Sequence, residues 1–135
     1  MLLSRRLRLA SLLSLLLAID SALAAAEMPA AARQEVEQLL SRLAGSGCKF
    51  YRNGAWHGAA EARSHLALKY QYLLDNKLAG SAEEFIALAG TKSSSSEEAY
   101  AVKCGTDSPK PSSSWMETEL REIRSRSPAA SPPAR

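Results

Sequence analysis

The sequence has little of what usually identifies a function at first sight. It contains few aromatic residues (2 Trp, 4 Tyr and 2 Phe) and only two cysteines. No apolar run approaches the roughly 20 residues that span a bilayer core. Lys and Arg outnumber Asp and Glu only by 17 to 14, far from the dense positive charge with which proteins displace counterions from nucleic acids. These absences leave one small domain and argue against a nucleic-acid partner.

Residues 1–24 have the three-part pattern of a secretory signal peptide. Three arginines lie within the first eight residues, residues 9–19 are almost entirely Leu and Ala, and Ala22-Leu23-Ala24 provides small residues for cleavage. We expect cleavage after Ala24 or one or two residues later, export by the general secretory route, and a periplasmic location. The apolar run is too short for a permanent membrane helix, so we expect no integral membrane segment after cleavage. No cysteine lies directly after it to carry a lipid anchor. Lys and Arg then outnumber Asp and Glu only by 14 to 13.

Cys48 and Cys104 are the two cysteines, and an exported chain meets an oxidising compartment. The pattern therefore predicts one disulfide, and closing the loop between them stabilises the fold by about 4 kcal/mol in the chain-entropy treatment. Two buried free thiols are the alternative. A Cys/His zinc site is disfavoured because no closely spaced ligand pair is present.

The spacing of apolar residues predicts four helices, over residues 29–43, 58–74 and 81–90 and from about residue 114. Ser81 and Glu84 form a predicted capping box at the third helix. We expect Leu88 on the buried side of the third helix. Trp56 and Trp115 are expected to be core or rim residues, with burial the default because the domain has only two Phe.

Residues 48–52 and 100–104 are the predicted strands, because they are short, bulky and bounded by glycines or polar residues. Antiparallel pairing with Cys48 opposite Cys104 would place Phe50 opposite Val102, and Asn53-Gly54 is a plausible tight turn. The predicted fold is thus α+β and mostly helical, with about four helices around a short two-stranded antiparallel ribbon. Residues 25–126 would form the single globular domain and residues 127–135, rich in Pro, Ala and Ser, a disordered tail.

Several blocks along the chain carry a family resemblance. They are Cys48-x-Phe50-x-Arg52-Asn53-Gly54, Glu61-Ala62-x-x-His65-Leu66-x-x-Lys69, Ala82-Glu83-x-Phe85-Ile86, Ser93-Ser94 followed by Tyr100 and Cys104, and Trp115. Over residues 30–124 the chain resembles the YfeK-like family of uncharacterised small secreted bacterial proteins. The resemblance implies a periplasmic address and no established activity. The chain departs from the family at Glu97, near the place where members have a glycine before the tyrosine of the second strand.

Glu61, His65 and Lys69 recur every four residues, so on a helix they form one polar ridge. The functional interpretation is an anion or sugar site, with Arg52 and Asn53 at the strand end supplying further donors. Lys92 and Tyr100 complete the set of ligand-binding candidates. In the structural interpretation Glu61 lies near the positive end of the helix, His65 bonds a backbone carbonyl and Lys69 is solvated.

Other chemistries have weaker support. His57, His65 and Glu61 do not have a spacing that establishes convergence on a metal, and we predict no metal and no cofactor. A small hydrolase could use His65 and Glu61 with a hydroxyl from residues 93–96, but nothing in the sequence joins them.

The serine run that leads to Tyr100 is similar to the Ser-Gly-x-x-Tyr loop of periplasmic lysozyme inhibitors, with Glu97 in place of glycine. Inhibition of a cell-wall hydrolase is therefore a further alternative. We favour a non-catalytic binding or accessory module of the cell envelope, whose partner is an unidentified envelope protein or cell-wall component.

Overall fold

The computed structural model describes residues 27–127. Four helices and four short strands alternate along this part of the chain. In order they are α1 (Ala30–Ala44), β1 (Lys49–Arg52), β2 (Ala55–His57), α2 (Ala59–Asp75), α3 (Ala82–Ala89), β3 (Ala101–Lys103), β4 (Lys110–Pro111) and α4 (Ser112–Arg126). The predicted signal peptide, and the predicted tail beyond residue 127, lie outside the described residues. No helix between residues 27 and 127 is both long enough and apolar enough to cross a membrane.

The strands form one antiparallel sheet in the order β2-β1-β3-β4. Strands β1 and β3 are the predicted ribbon, and Phe50 lies opposite Val102 as expected. Strand β2 extends the ribbon because Asn53 and Gly54 have φ angles of 48° and 84°, the left-handed conformation of a two-residue hairpin turn. Strand β4 adds a short pairing on the other side of β3.

A disulfide joins Cys48 and Cys104, with a Cα–Cα distance of 4.3 Å. The bond lies immediately before β1 and immediately after β3. The predicted disulfide is therefore confirmed, and it holds the register of the two central strands.

Each helix packs one of its faces against a shared core. The core face of α1 consists of Val36, Leu39, Leu40 and Leu43. On α2 the predicted stripe is buried at Ala62, Leu66, Tyr70 and Leu73, and only Ala59 at the first position is half-buried. Helix α4 begins at Ser112, two residues before its predicted start, and buries Met116, Leu120 and Ile123 as expected.

Helix α3 starts with the predicted cap, because the Ser81 hydroxyl accepts the Glu84 N–H. The Glu84 carboxylate reaches back to the N–H of Gly80, one residue earlier than a capping box requires. The expected burial of Leu88 is wrong, since its side chain is 52% exposed. Ala82, Phe85, Ile86 and Ala89 occupy the buried face at helical spacing, and position 88 lies on the opposite side.

The two tryptophans have different environments. Trp115 is buried, and its ring meets Phe50 edge-on at 5.8 Å between centroids. Trp56 is 44% exposed, so its predicted burial is wrong. The reason is its place in β2, where it faces away from Phe50 and from the helices.

Candidate functional site

Four of the candidate residues meet where the sheet contacts α2. Arg52 ends β1, His65 and Lys69 lie one turn apart on α2, and Tyr100 directly precedes β3. Alternation along the strands places Arg52 and Tyr100 on the same side of the sheet as Phe50 and Val102, facing the helix. We refer to Arg52, His65, Lys69 and Tyr100 as the basic cluster.

Hydrogen bonds connect the members of the basic cluster. Arg52 Nη1 lies 3.0 Å from His65 Nδ1, and His65 Nε2 lies 3.0 Å from the Tyr100 hydroxyl. Lys69 Nζ donates to the same hydroxyl at 3.2 Å and to the Lys92 carbonyl at 3.2 Å. Because a guanidinium has no acceptor, Nδ1 of His65 must accept from Arg52, and Nε2 then carries the proton of the neutral ring and donates to Tyr100.

In this arrangement the Tyr100 hydroxyl remains available as a hydrogen-bond donor. Its oxygen accepts from both His65 and Lys69, which uses its two lone pairs, so its own O–H is left to donate to a further acceptor. The Tyr100 backbone is held by its N–H to the Thr91 carbonyl at 2.9 Å and by the Ser112 N–H to its carbonyl at 3.0 Å. Lys69 Nζ also lies 5.0 Å from the centre of the Tyr100 ring.

The electrostatics of the basic cluster favour a neutral histidine. Burial lowers the pKa of His65, and the charges of Arg52 and Lys69 and the neighbouring His57 lower it further. Burial and the Arg52 charge likewise lower the pKa of Lys69. Burial raises the pKa of Tyr100, so its hydroxyl keeps its proton at neutral pH. Neither Arg52 nor Lys69 forms an ion pair with a carboxylate of residues 27–127.

The remaining candidates lie at the edges of the basic cluster. Glu61 pairs with His57 Nδ1 at 3.0 Å instead of binding His65. The side chain of Asn53 accepts the Ser96 hydroxyl at 2.6 Å, which ties the hairpin turn to the serine-rich loop. Lys92 contributes its carbonyl, and its ammonium lies 3.6 Å from Glu97.

A small cleft of about 30 Å³ opens beside the basic cluster, between the hairpin and α2. This volume holds about one water molecule, so a larger ligand could place only a small group inside. The exposed lining of this cleft is almost entirely apolar, with Phe50, Ala62 and Leu66 among its walls beside Arg52 and His65.

The geometry around His65 differs from that of a hydrolase. One ring nitrogen bonds Arg52 and the other bonds Tyr100. Among the described residues, no serine hydroxyl bonds either ring nitrogen. Ser93, the first of the serine run, instead bonds Ser95 and accepts from the backbone of its own loop. Between residues 27 and 127, no group of three or more His, Cys, Asp or Glu side chains could hold a metal ion.

The serine-rich loop has one unusual backbone position. Glu97 has a φ angle of 60°, the left-handed conformation that glycine adopts most readily. Tyr100, at the end of this loop, is only 7% exposed, and its hydroxyl oxygen bonds His65 and Lys69.

The sequence did not single out Tyr51 or the pairing of His57 with Glu61. Both depend on β2, which is too short to be recognised from its own composition. The signal available was Asn53-Gly54, because a two-residue turn places Arg52 opposite Ala55 and Tyr51 opposite Trp56. Extending the turn into a hairpin would have predicted the Tyr51–Trp56 contact, and the four-residue spacing of His57 and Glu61 was the signal for their pairing.

These features define a small α+β domain, closed by one disulfide, with a cationic and hydrogen-bonded cluster between its sheet and one helix. The chain belongs to the family of unknown function DUF5329, whose model matches residues 30–124. No curated protein and no solved structure matches the chain significantly. The family carries no assigned activity, so the function has to be argued from the site.

Proposed function

We propose that the chain is an exported, non-catalytic binding module of the bacterial cell envelope, of the YfeK-like kind. It holds an anionic group of an envelope component at the basic cluster. The observation that carries this proposal is the convergence of two cations, Arg52 and Lys69, on the His65–Tyr100 pair without a carboxylate between them. Burial and, after it, repulsion by Arg52 lower the pKa of Lys69, and an anion would offset the repulsion.

The donors favour a carboxylate or phosphate oxygen. Arg52 has free N–H groups beyond the one that it gives to His65, and Tyr100 has its unused O–H. Hydrogen bonds from charged donors to such oxygens are roughly twice as strong as those between neutral groups. Such a group would approach these donors from the exposed surface around Asn53 and Lys92, where the rest of the ligand would lie.

The same geometry argues against catalysis by His65. A general base in a nucleophilic triad is oriented by a carboxylate on one nitrogen and bonds the nucleophile with the other. Here one nitrogen faces a guanidinium, which lowers the basicity of the ring, and the other faces a tyrosine hydroxyl that is already protonated.

The experiment measures binding of soluble muropeptides by calorimetry, with the protein purified after export. The first probe is a muropeptide whose stem peptide has free carboxylates. The second is the same muropeptide with those carboxylates converted to amides, and the third is inorganic phosphate. The test variant is Arg52→Gln with Lys69→Gln. The matched control is Arg63→Gln with Lys110→Gln, which removes the same charge from exposed positions outside the basic cluster.

We expect the test variant to lose at least about tenfold in affinity, the value of one or two charged hydrogen bonds, and the control variant to bind as the wild type does. Converting the stem-peptide carboxylates to amides should lower the affinity for the wild type by the same factor. Binding of phosphate alone would assign the site to phosphate groups of the envelope. Equal losses in both variants, or no binding of any probe, would contradict the proposal.

A further inference from the structure

The sheet has a second face, turned away from the basic cluster and from the helices. Phe50 and Val102 are buried on the inner face, so Tyr51 and Ala101 lie on the outer one. Cross-strand pairing makes one row across all four strands, in the order Trp56, Tyr51, Ala101 and Pro111. We refer to these four residues as the outer row.

The outer row is apolar, shallow and accessible. Trp56 is 44% exposed, Pro111 is exposed, and Tyr51 and Ala101 are half-buried. Four strands at a spacing of about 4.8 Å make the row roughly 14 Å long. The rings of Tyr51 and Trp56 contact each other at 5.4 Å between centroids, and the Tyr51 hydroxyl donates to Glu98 at 2.6 Å, which fixes its ring.

Two lysines flank the outer row on the same face. Lys49 and Lys103 lie directly opposite each other on β1 and β3, and both are exposed. Like charges in directly opposed positions destabilise a sheet. Neither ammonium has an ion-pair partner in the described part of the chain. Their charge is thus available to an anionic partner that lies along the outer row.

We infer that the outer face binds an acidic carbohydrate chain. The C–H groups on one face of a pyranose ring are apolar and pack on the aromatic rings of Trp56 and Tyr51. Carboxylates carried by the sugars pair with Lys49 and Lys103. A row of about 14 Å accommodates two to three sugar rings end to end.

Carbohydrate fits this face better than a nucleic acid does. Single-stranded nucleic acids need successive stacking rings and a positively charged groove along the phosphates. The outer face offers one aromatic pair, a small alanine and a proline, with two lysines on one side and the Glu98 carboxylate at the Tyr51 hydroxyl. This inference does not depend on the basic cluster, which lies on the opposite face of the sheet.

The test measures binding of a hyaluronan hexasaccharide by calorimetry and by tryptophan fluorescence. Its carboxyl methyl ester and a deoxythymidine octamer are the comparison ligands. Trp56→Ala removes the platform, and Lys49→Gln with Lys103→Gln removes the charges. Leu68→Ala is the control for loss of an exposed apolar side chain, and Arg63→Gln with Arg121→Gln the control for loss of charge.

We expect Trp56→Ala, the double lysine variant and the methyl ester each to lose about tenfold in affinity, while both controls stay within about twofold of the wild type. The lysine variant changes only exposed side chains, so it keeps the test valid if Trp56→Ala does not fold. Absence of binding, or equal losses in the controls, would overturn the inference. Tighter binding of the octamer through the same residues would replace carbohydrate with nucleic acid and overturn it as well.

Discussion

The environment of His65 differs from that of a histidine in water. Its ring is partly buried and bonds Arg52 and the Tyr100 hydroxyl. Burial, followed by the charges of Arg52 and Lys69 and by His57, disfavours a second proton on the ring. The native state therefore binds fewer protons at this site than the unfolded chain does, and stability depends on pH in the range where the free imidazole titrates.

The lowered pKa of His65 determines the direction in which stability changes with pH. Because the native pKa of His65 is lowered from 6.5, the stabilising contribution is complete above pH 6.5 and is lost as the pH falls through the native pKa. We expect the free energy of unfolding of the wild type to decrease between pH 7 and pH 5, and to decrease less in His65→Gln. Urea unfolding at three pH values measures both slopes. Parallel slopes would show that His65 is not the group responsible.

Tyr100→Phe should destabilise the fold by about 1–3 kcal/mol, because two donors would lose their acceptor in a partly buried site. Tyr70→Phe is the matched control, since the hydroxyl of Tyr70 contacts only the Met28 sulfur, at 4.0 Å, and its ring is equally buried. Its cost should be clearly smaller. Denaturant unfolding of both variants gives the comparison, and equal costs would mean that the Tyr100 hydroxyl does not support its neighbours.

At the scale of elements, the end of α2 has one unfavourable backbone position. The N–H groups of Lys77 and Leu78 bond the carbonyls of Leu74 and Leu73, the pattern of a Schellman motif. Lys77 occupies the left-handed position of this motif, with a φ angle of 51°, where glycine is usual.

Lys77→Gly should therefore stabilise the protein by about 0.5–1 kcal/mol, because it relieves the left-handed strain at a small cost in chain entropy. The ion pair that it removes, Lys77 with Glu27, is exposed and contributes little. Lys77→Ala, which removes the same pair without relieving the strain, is the control. A higher urea midpoint for the glycine variant alone is the expected result, and a lower one would refute the argument.

Elements also decide how much of the molecule the sequence could predict. Helices and the central ribbon follow from local signals such as apolar spacing, the Ser81 cap and the glycine stops. The exposure of Leu88 and Trp56 does not follow from local signals. It depends on which side of a short helix or strand packs against the rest of the fold.

The same limit applies to the candidate site. Spacing along α2 placed Glu61, His65 and Lys69 on one ridge, but their partners come from other elements. Arg52 and Tyr100 reach His65 only because β1 and β3 pair beside α2, which is a tertiary arrangement. Local sequence patterns do not contain that information.

For the whole molecule, the disulfide is the largest single constraint on the unfolded chain. Replacing both Cys48 and Cys104 with alanine should lower the free energy of unfolding by about 4 kcal/mol, from the length of the loop that the bond closes. Reduction of the wild type should give the same loss, which controls for the effect of the substitutions. Unfolding experiments with unchanged midpoints would show that the bond adds no stability.

The proposed export can be tested on the whole chain directly. If residues 1–24 are removed as proposed, mass spectrometry of the protein from the periplasm should give a chain that starts at Ala25, or one or two residues later. Replacing Ala22 and Ala24 with leucine should block this cleavage and keep the longer chain. A cytoplasmic chain that retains Met1 would contradict the proposed address.

The Cys48–Cys104 bond determines what happens to the protein after proteolytic cleavage. It encloses β1, β2, α2, α3, the serine-rich loop and β3, so every member of the basic cluster lies inside the closed loop. A peptide bond cut in the exposed segment 94–99 would leave both pieces covalently joined and still packed on one core. A nicked molecule would migrate as one species on a non-reducing gel and as two fragments after reduction.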